Sequence, residues 1–143
     1  MSRDERNTAT LISLAHLLVS RRVSEAVSNA GYTVKASHGA VFSQLGAGGA
    51  RLTDLARGAQ MSLQAMGELV DELDRLGYVE RTPDPGDRRA KVITLTDAGQ
   101  RCAEAGGDAI RALEASITTV LGERGHQQLR RMLVRLLERD DDG

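Results

Sequence analysis

The sequence predicts a mainly helical chain with one small β-hairpin, an α+β class, and three observations carry that expectation. Apolar residues recur at three- and four-residue spacing over most of the length. Capping residues and glycines punctuate those runs. One stretch, 78–95, changes to period-two alternation around Pro83-Asp84-Pro85-Gly86. At 143 residues the chain suits one compact unit with an appended helical arm.

Asn7 to about Ala30 is a helical pattern with Leu11, Leu14, Ala15 and Leu18 on one side; Ile12, Leu17, Val19, Val23 and Val27 broaden it, and Gly31 closes it. So wide an apolar face is suited to more than its own domain. Tyr32 to Ala36 reads as extended, Ser37 as the cap of a helix from His38 to about Leu45, and 46–50 as a flexible glycine-rich connector. A short helix is expected from Leu52 to Gly58, with Leu55 and Ala56 inward and Gly58 as its left-handed stop. Ser62 is placed to cap the next helix, in which Met66, Leu69, Val70, Leu73 and Leu76 form one apolar stripe; Gln64, Ala65, Glu68, Glu72 and Arg75 are left on the other face. Gly77 ends it. Tyr78 to Arg81 starts one strand, Thr82 to Asp87 is the turn, and Ala90 to Leu95 returns.

Thr96 is the expected cap of a helix through Ala103, Ile110, Leu113 and Ile117 to Leu121, with Asp97 favourable in its first turn and Gly106-Gly107 interrupting it. Those glycines mark close packing or a bend, with a hinge as the sharper alternative. Gly122 to Gly125 reads as a turn, and Asp140 to Gly143 as a frayed tail. From His126, Leu129, Met132, Leu133, Leu136 and Leu137 lie along one seam with Arg130, Arg131, Arg135 and Arg139 outside it. A single helix presenting such a seam needs a partner.

The formal net charge is −1, so any affinity for nucleic acid must be local. It has a place to reside: Arg81, Arg88, Arg89 and Lys91 outnumber Asp84 and Asp87 between positions 81 and 91. Two helices at a short turn followed by a hairpin with basic residues at its tip are the layout of a winged helix-turn-helix. The phrases Arg51-Leu-Thr-Asp-Leu-Ala, Leu69-Val-Asp-Glu-Leu-Asp-Arg-Leu-Gly-Tyr-Val-Glu-Arg and Asp84-Pro-Gly-Asp-Arg-Arg-Ala-Lys, followed by Leu95-Thr-Asp-Ala-Gly, resemble the MarR family of transcriptional regulators. The resemblance implies a DNA-binding lobe at 36–95, a connecting helix at 96–121, and dimerisation helices at 7–30 and 123–140. Leu11, Leu18, Leu129, Met132, Leu133, Leu136 and Leu137 would interlock two copies into a homodimer. Two reading helices about 34–36 Å apart then match successive turns on one face of double-stranded DNA, favouring a pseudo-palindromic operator.

Arg88 and Arg89 are the strongest candidates for DNA contact, because a guanidinium enters a narrow minor groove with little loss of hydration; Lys91 follows them. The family's wing motif, an acid two positions before an arginine, maps onto Asp87 and Arg89, with Asp87 bracing an arginine through a charge-assisted hydrogen bond. Gln64 can pair with both groups of an adenine edge, and Ala65 can touch a thymine methyl. Ser37, Arg51, Thr53 and Ser62 are candidates for phosphate. The chain departs from the family where Gly67 and Glu68 replace a hydroxyl and a basic residue, and where Glu72 replaces another basic residue. Glu68 is repelled by phosphates, although a carboxylate can accept from cytosine N4.

By the same resemblance, a small-molecule effector cleft would draw on Leu14, His16, Leu17, Tyr32, His38 and Phe42, with repression relieved on binding. Taken singly, a His or Tyr at such positions is more often structural. The one cysteine, Cys102, forms no disulfide within the chain and has only Arg101 beside it to lower its pKa. His16, His38 and His126 are dispersed, and no catalytic or metal constellation or phosphate-cradling loop is legible, so neither enzyme activity nor a cofactor is expected. No run approaches the roughly 20 apolar residues of a membrane span, and the first residues lack a secretory core, which places the protein in the cytoplasm. The competing reading is a winged helix used only for protein contacts, because fold alone does not dictate DNA binding.

Overall fold

The computed structural model describes residues 5–141, with side chains to 139. Residues up to Ala109 form one compact unit, and those from Ile110 onward a second.

In the first unit, helix α1 runs Thr8–Asn29; the Asn7 side chain caps it by accepting from the Thr10 amide at 2.8 Å. Gly31, at φ 101°, turns the chain away from it. A 3-10 turn, Ala36–His38, leads into α2, Gly39–Phe42. The expected Ser37 cap is not realised. Ser37 lies inside the 3-10 turn, Lys35 is the cap, and the Lys35 amide donates to His38 Nδ1 at 3.1 Å. The helix also ends at Phe42 rather than Leu45.

Helices α3 (Leu52–Gly58) and α4 (Leu63–Arg75) follow, with Ser62 capping α4 by accepting from the Ala65 amide at 3.1 Å. Gly58 does not supply the left-handed stop. That conformation belongs to Gln60, at φ 54°, while Gly58 stays helical and a side chain there would meet the Gln44 amide. Gly77, at φ 84°, does end α4 in the left-handed region. Leu55, Ala56, Met66, Val70 and Leu73 are buried together with Val27, Val41, Tyr78, Val79, Ile93 and Cys102 in an aliphatic core. Leu76 leaves the expected stripe and is exposed, since it caps the helix end rather than sitting within it. The chain's three aromatic rings form one cluster: Tyr78 meets Tyr32 and Phe42 with centroids 6.3 and 6.4 Å apart.

The hairpin pairs β1 (Val79–Asp84) with β2 (Asp87–Leu95), so the turn is shorter than Thr82 to Asp87. The register is regular from Val79↔Leu95 to Pro83↔Lys91 and then shifts to Asp84↔Asp87. Arg88, Arg89 and Ala90 therefore sit on β2 with no counterpart on β1. On its other edge β2 bridges to Ala50, with Ile93 and Ala50 exchanging both amide bonds at 2.7 and 3.0 Å. The expected flexible connector thus ends in a third, one-residue strand. Gly49 permits it: its φ is 76°, and a Cβ there would stand 2.7 Å from the Ile93 carbonyl oxygen.

Thr96 caps α5 (Asp97–Asp141): its hydroxyl donates to the Gly77 carbonyl at 2.5 Å and accepts from the Gly99 amide at 3.1 Å. Gly99 lies against β1, where a Cβ would meet the Tyr78 carbonyl. Gly106-Gly107 does not interrupt the helix; a Cβ at Gly106 would make an ordinary 3.9 Å contact with Val27. In the second unit the expected turn reduces to Gly122 alone, at φ 73° and ψ 165°, after which the helix resumes. His126 spans this break, with Nδ1 2.8 Å from Thr118 Oγ1 and Nε2 2.8 Å from the Glu114 carboxylate. Asp140 and Asp141, expected in a frayed tail, are helical; Asp142 and Gly143 lie outside the described residues. Among the described residues no helix is long and apolar enough to cross a membrane.

Candidate nucleic-acid interface

The inward stripe of α4 fixes what its outer face presents. With Met66, Val70 and Leu73 buried, Gln64, Glu68 and Arg75 are exposed on the far side and Ala65 is half-buried. Ser62 is exposed but its hydroxyl is engaged at the cap. Thr53 is exposed on the second residue of α3, and Ser37 on the 3-10 turn. Gly67 faces α3, because a Cβ there would lie 3.8 Å from Leu52 Cδ2.

Three of the four carboxylates on α4 are committed to cations within the lobe. Arg81 reaches Asp71 at 2.6 Å and Asp74 at 3.2 Å. Arg81 therefore belongs to the α4 ion-pair set, not to the basic tip where its sequence position had put it. Glu72 accepts from His38 Nε2 at 2.8 Å and from Lys35 Nζ at 3.3 Å, and these two donors, His38 first, hold its carboxyl below the usual range. Since His38 Nδ1 accepts from the Lys35 amide, its Nε2 carries the proton given to Glu72. The family position of Glu72 is thus turned to a structural use.

The wing is anchored by a pair that spacing along the chain did not reveal. Arg51 donates to Asp84 through Nε at 2.9 Å and through its terminal nitrogen at 2.5 Å. The Gly86 amide and Arg51 together hold the Asp84 carboxyl below its ordinary value. The Arg51 guanidinium, a candidate for phosphate, ties the start of α3 to the hairpin tip. Asp87 was expected to brace an arginine side chain. It accepts the main-chain amide of Arg89 at 3.0 Å, and the acid–guanidinium pair is Asp84 with Arg51. Among the described residues, the side chains of Arg88, Arg89 and Lys91 have no intrachain partner, and all three are exposed. They project from the bulged strand beside a tip in which one of the two acids, Asp84, is neutralised by Arg51.

The remaining candidates divide by environment. His38 is 2% exposed with both ring nitrogens bonded, and Tyr32 and Phe42 pack on Tyr78, whose hydroxyl accepts from the Thr33 amide at 2.9 Å. Leu14, His16 and Leu17 lie exposed on α1, as do Leu11 and Leu18. In the second unit Met132, Leu133, Leu136 and Leu137 are exposed and Leu129 is half-buried. Burial pushes the Cys102 thiol up, away from the thiolate that a redox sensor requires. Among the described residues no group of His, Cys, Asp and Glu is arranged to hold a metal ion.

The sequence profile of the MarR family matches residues 32–90, which hold α2, α3, α4 and most of the wing. The transcriptional activatory protein BadR of Rhodopseudomonas palustris is 37% identical over 54 residues, 38% of this chain; the match spans 31% of BadR's length. Among solved structures, CouR from Rhodococcus jostii RHA1 bound to p-coumaroyl-CoA superposes with a TM-score of 0.74 at 26% identity, covering 89% of each chain. The transcriptional repressor CouR bound to a 23-mer DNA duplex gives 0.77 at 22% identity, covering 92% of each. With the family's profile on the helix-turn-helix and the wing, and a shared architecture along most of the length, residues 32–90 are a winged helix-turn-helix of the MarR family, whose members are transcription factors rather than enzymes.

Proposed function

We propose that the protein is a cytoplasmic homodimer that binds a pseudo-palindromic operator in double-stranded DNA and represses transcription until a small-molecule effector binds. The observation that carries DNA binding is the contrast among the lobe's cations. Arg51, Arg57, Arg81 and Lys35 are paired with carboxylates, whereas Arg88, Arg89 and Lys91 on the wing, like Arg75 at the end of α4, have no partner among the described residues. Each unpaired cation near a duplex releases condensed counterions, which drives binding in a chain of net charge −1. In this reading α4 lies in the major groove with Gln64 and Ala65 at base edges. Arg88 and Arg89 enter the neighbouring minor groove, Lys91, Ser37 and Thr53 meet phosphate, and Ser62 keeps its cap while its exposed rim faces the backbone.

Dimerisation is supported by the apolar residues that each unit leaves in solvent. Leu11 and Leu18 on α1, and Met132, Leu133, Leu136 and Leu137 on α5, are 38–68% exposed. Such surface is costly on a monomer and is covered in a symmetric pair. Ligand response and repression rest on similarity to CouR, a repressor with structures on DNA and with p-coumaroyl-CoA. BadR acts with the opposite sign. The effector surface is assigned to exposed Leu14, His16 and Leu17 with the outer edges of Tyr32 and Phe42, while His38 serves to hold α4.

Fluorescence anisotropy against labelled duplexes, including the region upstream of its own gene, tests the reading. Tight, sequence-preferring binding that collapses in Arg89→Ala supports it. Weak binding that is indifferent to salt and to Arg89→Ala overturns it in favour of a protein-interaction module. A reporter driven by the same upstream region sets the sign, with transcription rising when the gene is removed from a repressor's target.

A further inference from the structure

Glu68 is the one acid of α4 whose side chain has no intrachain partner among the described residues. Asp71 and Asp74 are taken by Arg81, and Glu72 by His38 and Lys35. It is exposed, one helical turn beyond Gln64 and on the same outer face. Its neighbours on the helix surface at three and four residues are Gln64, Ala65, Asp71 and Glu72, none of which is a cation. Facing a phosphate backbone, a bare carboxylate weakens binding unless it meets a hydrogen-bond donor. The only donors on the edges of a duplex major groove are the exocyclic amino groups of cytosine and adenine.

Those two donors are not equivalent to a carboxylate. Adenine sets its N7 acceptor beside the N6 amino group, which repels the second carboxylate oxygen and suits an amide such as Gln64. Cytosine presents N4 with no acceptor of its own beside it on that edge. Resting on the DNA-reading role of α4, we propose that Glu68 is a specificity-determining residue that accepts a hydrogen bond from cytosine N4. Four residues advance a helix by about 6 Å, and base pairs are spaced by about 3.4 Å. Each half-site therefore carries its cytosine within about two base pairs of the adenine read by Gln64. The acid that looks like a defect in a DNA-binding helix is then the source of discrimination: it penalises every duplex that lacks the amino group at that place.

The test is to select bound duplexes from a random-sequence pool with the full chain, then to replace each C·G pair of the preferred site by T·A. The substitution exchanges the N4 donor for the O4 acceptor of thymine. At one position per half-site the replacement should weaken wild type about tenfold, as a lost base contact does, and Glu68→Gln less than about twofold. The same variant should bind a scrambled duplex more tightly than wild type, with its circular dichroism unchanged because Glu68 is exposed. Selected sites in which no cytosine depends on residue 68 overturn the role of Glu68 while leaving DNA binding intact. A pool in which no duplex is retained overturns the DNA-binding reading, and this proposal with it.

Discussion

Replacing His38 by alanine should be among the most damaging single changes to the lobe. The imidazole is 2% exposed and serves two elements at once, accepting the Lys35 amide at 3.1 Å and donating to Glu72 on α4 at 2.8 Å. Without the ring, the Lys35 N–H that starts the 3-10 turn loses its acceptor, and a part-buried hydrogen bond of this kind is worth about 0.5–1.5 kcal/mol. The vacated volume adds a cavity term, bringing the loss to about 2–4 kcal/mol. For a chain of this size each kcal/mol shifts Tm by about 2–4 °C, so a fall of about 5–15 °C is expected in calorimetry at fixed protein concentration. Glu72→Gln keeps an oxygen for the imidazole and should cost clearly less. A His38→Ala midpoint within 2 °C of wild type, to order of magnitude, would refute the idea that this ring ties α4 to its neighbours. So would a Glu72→Gln loss as large as that of His38→Ala, which would shift the weight to the ion pair.

The other expectations concern pH and two glycines. The carboxyls of Glu72 and Asp84 are held below their ordinary values of 4.5 and 3.8 by hydrogen-bond donors in the folded chain. Their contribution to stability is present above those ordinary values and is lost as pH falls through the lower folded ones. Acid titration by circular dichroism should therefore show wild type losing its advantage over Glu72→Gln and Asp84→Asn below about pH 4.5; parallel curves at every pH would contradict this. Gly106→Ala should be neutral or stabilising by up to about 1 kcal/mol, since its new Cβ meets Val27 at ordinary distance. Gly99→Ala should cost about 1–3 kcal/mol, because there the new Cβ is driven onto the main-chain carbonyl of Tyr78. Urea denaturation orders the pair, and the reverse order would show that helix propensity outweighs packing at Gly99.

What could be read from the sequence was local, and what could not was made by contacts across it. The Ser62 and Thr96 caps and the stops at Gly31 and Gly77 act within a few residues, so residue type and spacing reveal them. Ser37 failed as a cap because the imidazole of His38 does that work at Lys35, a role residue type does not advertise. The left-handed residue after α3 is Gln60, not a glycine, so a glycine rule looks in the wrong place. Ion pairs were the least legible part: Arg51 and Asp84 stand 33 residues apart, and Lys35 and Glu72 37. They decide which charges remain free for a partner. The sequence shows an acidic helix beside a mildly basic turn; the fold neutralises most of the helix's acid and leaves the arginines of the wing unpaired. Arg81 counted toward the wing until its bonds to Asp71 and Asp74 placed it elsewhere.

If the free cations of the wing are the DNA-binding charges, the salt dependence of affinity measures them directly. The quantity is the slope of log K against log salt for the preferred duplex, compared between wild type and a variant with Arg88, Arg89 and Lys91 all changed to alanine. Each phosphate contact contributes about 0.9 to that slope, so removing three cations from each wing of the proposed dimer should flatten it by up to about five. A variant that binds with the slope of wild type would mean that the wing neutralises no phosphate and that the DNA-binding charges lie elsewhere.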